Sequence, residues 1–290
     1  MRWLRSLLIA FVAFAIVSGV VLCEGSLRVR RHLPLPAEPA SVEIKAADGA
    51  VLSAWFLEPS RPTGHCVAVL HGIGDTRLGA RGFSPMFLKA GYSVLLPDSR
   101  GHGDSGGEIT TYGEKEADDA IRWTEWMRRR GCRDVFGLGE SLGAAILLEA
   151  AGQRPAFNAI AAECAYSGFF AIAEERLARA TQLPEFAAKA IVAPVIFSGI
   201  AYARIRYGIH LWDIDPAEAA RKTNTPILLI HGVADRRTSA ENSRRIAAHA
   251  PTVQLWLVPG ADHVAAYVTD PAGFESHVLT FFAAHFGGGE

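Results

Sequence analysis

Apolar residues fall along this chain in three kinds of pattern. The first is an unbroken run near the N-terminus, LLIAFVAFAIVSGVVLC over 7–23, with no charge in it. The second is a set of short runs of strand length: CVAVLHG (66–72), YSVLLPD (92–98), DVFGLGE (134–140), AIAAEC (159–164), PILLIHG (226–232) and VQLWLVPG (253–260). Runs this short and this apolar suit parallel strands buried on both faces. The third is helical, and predicts helices over 79–90, 114–130, 141–151, 238–249 and 271–285. Segment 114–130 begins acidic and ends basic, as the helix dipole favours, and its Ala117, Ile121, Trp123 and Trp126 approximate an apolar stripe. Ahead of the first short run, SVEIKAADGAVLSAWFLEP (41–59) reads as an antiparallel hairpin turning at Asp48-Gly49.

Strands alternating with helices predict an α/β domain over 41–286. Its sheet has eight strands, the first two antiparallel and the rest parallel, with helices on both faces. One connection breaks the rhythm. Between AIAAEC and PILLIHG lie about sixty residues, far more than a crossover helix needs. Residues 165–222 therefore read as a helical insert, a small lid or pocket wall. Its aromatics (Phe169, Phe170, Phe197, Tyr202, Tyr207, Trp212) read as plain core rather than as an acyl pocket.

The N-terminal run is short for a spanning helix and long for the apolar part of a signal peptide. Val17-Ser18-Gly19 only partly resembles a cleavage site, and Leu22 stands before Cys23 where a lipoprotein needs a small residue. An uncleaved anchor over 1–24 is the favoured reading, with secretion after cleavage as the alternative. Arg2 and Arg5 precede the run and Arg28, Arg30 and Arg31 follow it, so charge leaves its orientation open. Within 25–40, HLPLPAEP (32–39) reads as a proline-stiffened tether.

Composition narrows the picture further. Basic and acidic residues number 29 and 30, a net charge of −1, so nothing points to nucleic acid as a partner. Four cysteines, Cys23, Cys66, Cys132 and Cys164, show no CxxC spacing. Cys66, Cys132 and Cys164 lie in or beside apolar runs and read as buried free thiols, which leaves the redox compartment open. The oligomeric state is open too.

The chemistry centres on GLGESLGAA (137–145). Ser141 falls between a strand and a helix, flanked by Gly139 and Gly143. A serine there is forced into a strained turn, and the glycines remove the side chains that would crowd it. The Leu142 N–H opens the following helix and faces a developing oxyanion. Serine needs a base, and the base needs an orienting acid. The loop after PILLIHG carries Asp235, and the loop after VQLWLVPG carries His263. Three strands of one parallel sheet thus bring Ser141, Asp235 and His263 to a shared edge, in the chain order Ser, Asp, His. The loop His71-Gly72-Ile73-Gly74 offers the Ile73 N–H as second oxyanion donor. Blander readings cover the other polar residues. Asp98, His102 and Asp104 in DSRGHGDSGG, and His71 and His231 at strand ends, read as structural. Glu163 is a possible displaced acid, with Asp235 the better candidate. Glu140 reads as pointing away from the oxyanion, with an acidic contact to substrate as the alternative.

These segments, VLHGIGDT, PDSRGHGDSGG, GLGESLGAA, LLIHGVADRRTS and LVPGADH, resemble in order the signatures of the alpha/beta-hydrolase superfamily across residues 41–286. The insert and DIDPAEAARKTNTPILLIHG (213–232) resemble its membrane-anchored, small-lid branch, related to serine-aminopeptidase-like and acyl-hydrolase domains. The resemblance implies a covalent acyl-enzyme cycle on a small-molecule or lipid acyl substrate, with neither metal nor organic cofactor. It favours an ester or thioester, with an aminopeptidase or amidase next. A hydrolase-shaped binding protein without turnover is the contrasting reading. Thr238-Ser239 stand where members often carry Val-Pro, which puts the packing of that loop in doubt.

Overall fold

The computed structural model describes residues 2–29, 40–181, 185–250 and 252–287. The eight strands are β1 (Ser41–Lys45), β2 (Val51–Leu57), β3 (His65–Leu70), β4 (Ser93–Pro97), β5 (Asp134–Glu140), β6 (Ala159–Glu163), β7 (Ile227–Gly232) and β8 (Val253–Val258). They form one sheet in the order β1-β2-β4-β3-β5-β6-β7-β8. β1 and β2 run antiparallel, β2 meets β4 antiparallel, and the remaining pairs are parallel. Gly49, at a φ of +85°, makes the hairpin turn.

The helices in chain order are α1 (Arg2–Leu27), α2 (Arg77–Ala80), α3 (Ser84–Lys89), α4 (Glu116–Arg129), α5 (Leu142–Gln153), α6 (Phe169–Thr181), α7 (Glu185–Tyr207), α8 (Pro216–Lys222), α9 (Glu241–His249), α10 (Ala266–Thr269) and α11 (Pro271–Ala283). The helix expected over 79–90 is broken into α2, a 3-10 turn and α3, with Pro85 at the start of α3. The last expected helix, 271–285, is α11, preceded by the short α10, and Asp270 caps α11 through the Gly273 N–H.

Continuously apolar strands have two buried faces, and alternate residues serve them. Along β3, Cys66, Ala68 and Leu70 join the core under α4 and α5, with Ile121, Met127, Ile146 and Leu147. Val67 and Val69 join the opposite core under α3 and α11, with Phe87, Phe274 and Phe282. Each face buries several large side chains at about 1.5–3 kcal/mol apiece.

Cys66 and Cys132 are disulfide-bonded, with Cα atoms 5.8 Å apart, which corrects the expectation of free thiols there. The topology explains it. Cys66 sits early in β3, Cys132 lies just before β5, and β5 pairs directly with β3. Cys23 and Cys164 are free and buried.

The insert is helical, carried by α6 and α7, with α8 before β7. Of its aromatics, Phe169, Tyr202 and Tyr207 pack against the core as expected, and the others depart from it. Phe170, Phe197 and Trp212 stack on one another, with Phe197 and Trp212 exposed, while Tyr202 and Tyr207 donate hydroxyl hydrogen bonds to Glu24.

α1 is long and apolar enough to cross a membrane, a test that signal sequences also pass, and α7 meets the same criterion over Ala190–Tyr207. Most of α1 is exposed, but Ala15, Gly19, Cys23 and Leu27 form a buried line at a spacing of four. That line packs on α7 closely enough that a Cβ on Gly19 would lie 2.5 Å from the Val195 carbonyl oxygen. The Leu27 carbonyl also accepts from the Thr110 N–H at 2.9 Å. The tether expected at 32–39 lies outside the described residues.

The disulfide closes a loop of 66 residues, and constraining the unfolded chain that far is worth about 4 kcal/mol. Dithiothreitol should therefore lower the melting temperature of the wild type and leave that of a Cys66→Ala/Cys132→Ala variant unmoved. Equal sensitivity of the two to reductant would contradict the crosslink.

Candidate active site

The strand-to-helix turn after β5 places Ser141 at φ +51° and ψ −105°, a region L-residues rarely occupy and one that costs about 1–3 kcal/mol. Packing enforces it. Helix α5 must fold straight back on the sheet, and Gly143 lies so close to β3 that a Cβ would sit 2.3 Å from the Leu70 carbonyl oxygen. A Cβ on Gly139 would lie 2.5 Å from the Gly143 carbonyl oxygen. The Ser141 N–H donates to the Glu163 carbonyl at 2.8 Å, tying the turn to β6.

Asp235 follows β7 and His263 follows β8. His263 Nε2 is 3.0 Å from Ser141 Oγ, and Nδ1 is 2.7 Å from Asp235 Oδ2. With Nδ1–H donating to the carboxylate, Nε2 is left free to accept from the serine hydroxyl. The Asp235 carboxylate is fully buried. Burial alone would raise its pKa. Hydrogen bonds from His231, His263 and the Thr238 N–H outweigh that and hold it well below the usual carboxylate range. Its Oδ1 accepts from the Arg237 and Thr238 N–H groups at 2.8 and 2.9 Å.

The loop carrying Thr238 and Ser239 has its own anchorage. The Thr238 carbonyl accepts from His231 Nε2 at 2.9 Å, and the Ser239 N–H donates to Glu175 of α6 at 2.8 Å. His231, read from sequence as structural, also brings Nε2 within 3.3 Å of Asp235 Oδ2. It thus steadies the acid that faces His263. The spacing of a strand-end histidine before glycine held no signal of that contact.

Leu142 and Ile73 flank the serine. Among the described residues neither backbone N–H finds an acceptor, and Ile73 lines the cleft with Ser141 and His263. The loop bearing Ile73 is braced by histidines. His71 Nδ1 donates to the Gly72 carbonyl, and its Nε2 accepts from the Ser99 N–H. His102 Nε2 accepts from the Gly74 N–H at 3.1 Å. Burial, aided by nearby His71, lowers the His102 pKa to about 4, so it stays a neutral acceptor. Asp98 takes N–H bonds from Arg77 and Asp104 and pairs with the Arg77 guanidinium, which also pairs with Asp104. Asp98, His102 and Asp104 thus hold the loops around the cleft.

Glu163 does not face His263. Its Oε1 accepts from the Ala266 N–H at 2.9 Å, Oε2 finds no partner among the described residues, and burial raises its pKa to about 7. Glu140 lines the cleft with Ser141. Burial first, then Glu163 and Asp75, push its pKa up to about 8. The sequence reading also missed four arginines. Arg176, Arg179, Arg236 and Arg237 line the cleft, which has a volume of about 520 Å³. Two come from α6 and two from the loop after β7, and only the folded arrangement unites them.

The family model described as "Alpha/beta hydrolase family" matches residues 67–276, and the chain belongs to that family. It is 25% identical to the uncharacterized protein YqkD of Bacillus subtilis (strain 168) over 250 residues, covering 84% of this chain and 79% of that one. A thermostable monoacylglycerol lipase of Bacillus sp. (strain H-257) is 30% identical over 107 residues, 34% of this chain and 39% of that one. The Pyrococcus furiosus esterase Pf2001 shares the fold at a TM-score of 0.71 and 23% identity, covering 90% of this chain and 99% of that one.

Glu140 provides a pH signature. Unfolded, it ionises near its ordinary 4.5; folded, it keeps its proton to about 8. Across that window the unfolded chain binds fewer protons, so native stability falls as pH rises and the loss is complete above it. The melting temperature of Glu140→Gln minus that of the wild type should grow between about pH 5 and pH 8 and then level off. A difference constant with pH would contradict this environment.

Proposed function

We propose that this protein is a serine hydrolase that cleaves carboxylic ester or thioester bonds through a covalent acyl-enzyme. The observation that carries the reading is the line from Ser141 Oγ to His263 Nε2 to Asp235, at 3.0 and 2.7 Å, on a strained turn. Ser141 Oγ attacks the acyl carbonyl while His263 Nε2 takes its proton. The Leu142 and Ile73 N–H groups receive the developing oxyanion. Collapse breaks the ester bond, and His263 returns the proton to the departing alcohol or thiol. Water, activated by the same imidazole, then releases the acid. Asp235 keeps the Nδ1–H tautomer and stabilises the imidazolium. The cycle calls on no metal or organic cofactor. The partial similarity to a monoacylglycerol lipase favours an acyl substrate.

The reading extends to location: α1 stays attached as a membrane anchor. Its Ala15 and Gly19 are buried, with Gly19 packed on α7, and cleavage after Gly19 would remove both. The Cys66–Cys132 disulfide favours an oxidising compartment for the catalytic domain.

A fluorophosphonate probe should label the wild type and not Ser141→Ala, and that variant should lose about 10⁴-fold or more in kcat on a nitrophenyl ester. Folded wild type that resists the probe would sink the proposal, and fast cleavage of aminoacyl anilides with inert esters would reverse the choice of substrate. The mature N-terminus tests the anchor: a chain beginning beyond residue 19 would contradict it.

A further inference from the structure

Two cavities share Arg176. One is the cleft over Ser141 and His263. The other, about 160 Å³, lies between the membrane-type helix and the insert. Its wall includes Gly19 and Leu22 of α1, Ile172 and Leu177 of α6, and Val195 and Ile200 of α7. A chamber of this size has room for about as many carbons as a small hydrocarbon, enough for one end segment of an acyl chain. Arg176 belongs to the walls of both, so the two cavities adjoin at this side chain.

The cleft is unevenly charged. Arg179 is engaged by Glu175 and the Arg236 carbonyl. Among the described residues, the guanidiniums of Arg176, Arg236 and Arg237 form no ion pair. Asp75 and Glu140 line the cleft with them, Asp262 accepts the Arg236 N–H at its rim, and burial keeps Glu140 protonated at neutral pH, so the arginines still outnumber the ionised carboxylates. Asp235 is committed to His263 and to its own loop. A concave site with excess positive charge concentrates anions, and the guanidinium fork matches phosphate oxygens. The same field opposes a substrate carrying a free ammonium, as an aminopeptidase substrate does. Standing alone, exposed Arg236 and Arg237 would be ordinary solvated arginines. What sets them apart is convergence with Arg176 and Arg179 on the cleft that holds Ser141.

Building on the serine-hydrolase reading, we propose that the substrate is a single-chain lipid ester with a phosphate headgroup. The ester at Ser141 divides the molecule. A segment of its acyl chain runs past Arg176 into the chamber between α1, α6 and α7, and the phosphate of the leaving alcohol rests among Arg176, Arg236 and Arg237. Ser141 takes the acyl group, His263 protonates the departing glycerol phosphate, and water then frees the fatty acid. Helix α1 is a wall of the binding site as well as an anchor, which suits a substrate drawn from the bilayer it occupies.

The test uses the full chain in detergent micelles. Lysophosphatidate and monoacylglycerol of one chain length differ only in the phosphate. The wild type should favour lysophosphatidate by about tenfold or more in kcat/KM, and Arg176→Gln/Arg236→Gln/Arg237→Gln should bring the ratio close to one. Equal rates, or faster monoacylglycerol cleavage, in a wild type that the fluorophosphonate labels would overturn the headgroup assignment. Failure of labelling would instead strike at the hydrolase reading itself. Leu22→Trp in α1 and Ala173→Phe in α6 should each shift the optimum along a nitrophenyl ester series toward shorter acyl chains. If one of them fails to fold, the other carries the test. An unchanged chain-length profile in folded protein would overturn the chamber, because a helix that only tethers the domain has no bearing on acyl length.

Discussion

The close approach of α5 to β3 is the constraint from which the site follows. With Gly143 packed on the Leu70 carbonyl, the chain has no room to leave β5 gently, and Ser141 absorbs the turn at a positive φ. The same tight return directs the Leu142 N–H and the serine hydroxyl to one side of the sheet edge. Strain recurs across the cleft. Val264, a β-branched residue at φ +49°, follows His263 directly, and Cys164 at φ +53° sits beneath it, its sulfur accepting the Val264 N–H at 3.4 Å. Positive-φ backbone thus recurs in the segments after β5, β6 and β8, where chemistry is proposed.

Much of the fold was legible in the sequence because β3 to β7 are continuously apolar and helices such as α4 and α9 are amphipathic. β3 to β8 coincide with the short runs within a residue or two, and the hairpin turned where Asp48-Gly49 placed it. Short elements were harder. The 79–90 segment carries one apolar pattern, yet Pro85 and a 3-10 turn divide it, and α8 was hidden within a stretch read only as insert. The Cys66–Cys132 bond gave no local signal, because its partners are 66 positions apart and meet only through the β3–β5 pairing.

The candidate site divides in the same way. Ser141, Asp235 and His263 were readable because each follows a recognisable strand, and the structure brings the three within hydrogen-bonding reach. The residues that shape what the site binds were not readable. Arg236 and Arg237 look like solvent-facing charges next to an acid, and Arg176 and Arg179 like the polar side of an insert helix. Their convergence depends on how α6 lies over the loop after β7, pinned by Glu175 to the Ser239 and Asn242 nitrogens. Likewise, an apolar N-terminal run says membrane or export, but not that Gly19 and Leu27 will dock on the insert.

The most direct test of the central claim is to catch the acyl group on the protein. Wild-type enzyme quenched in acid during turnover of a nitrophenyl ester should gain the mass of one acyl group, and peptide mapping should place it on Ser141. Turnover that leaves no adduct on Ser141, or an adduct on another residue, would contradict the account.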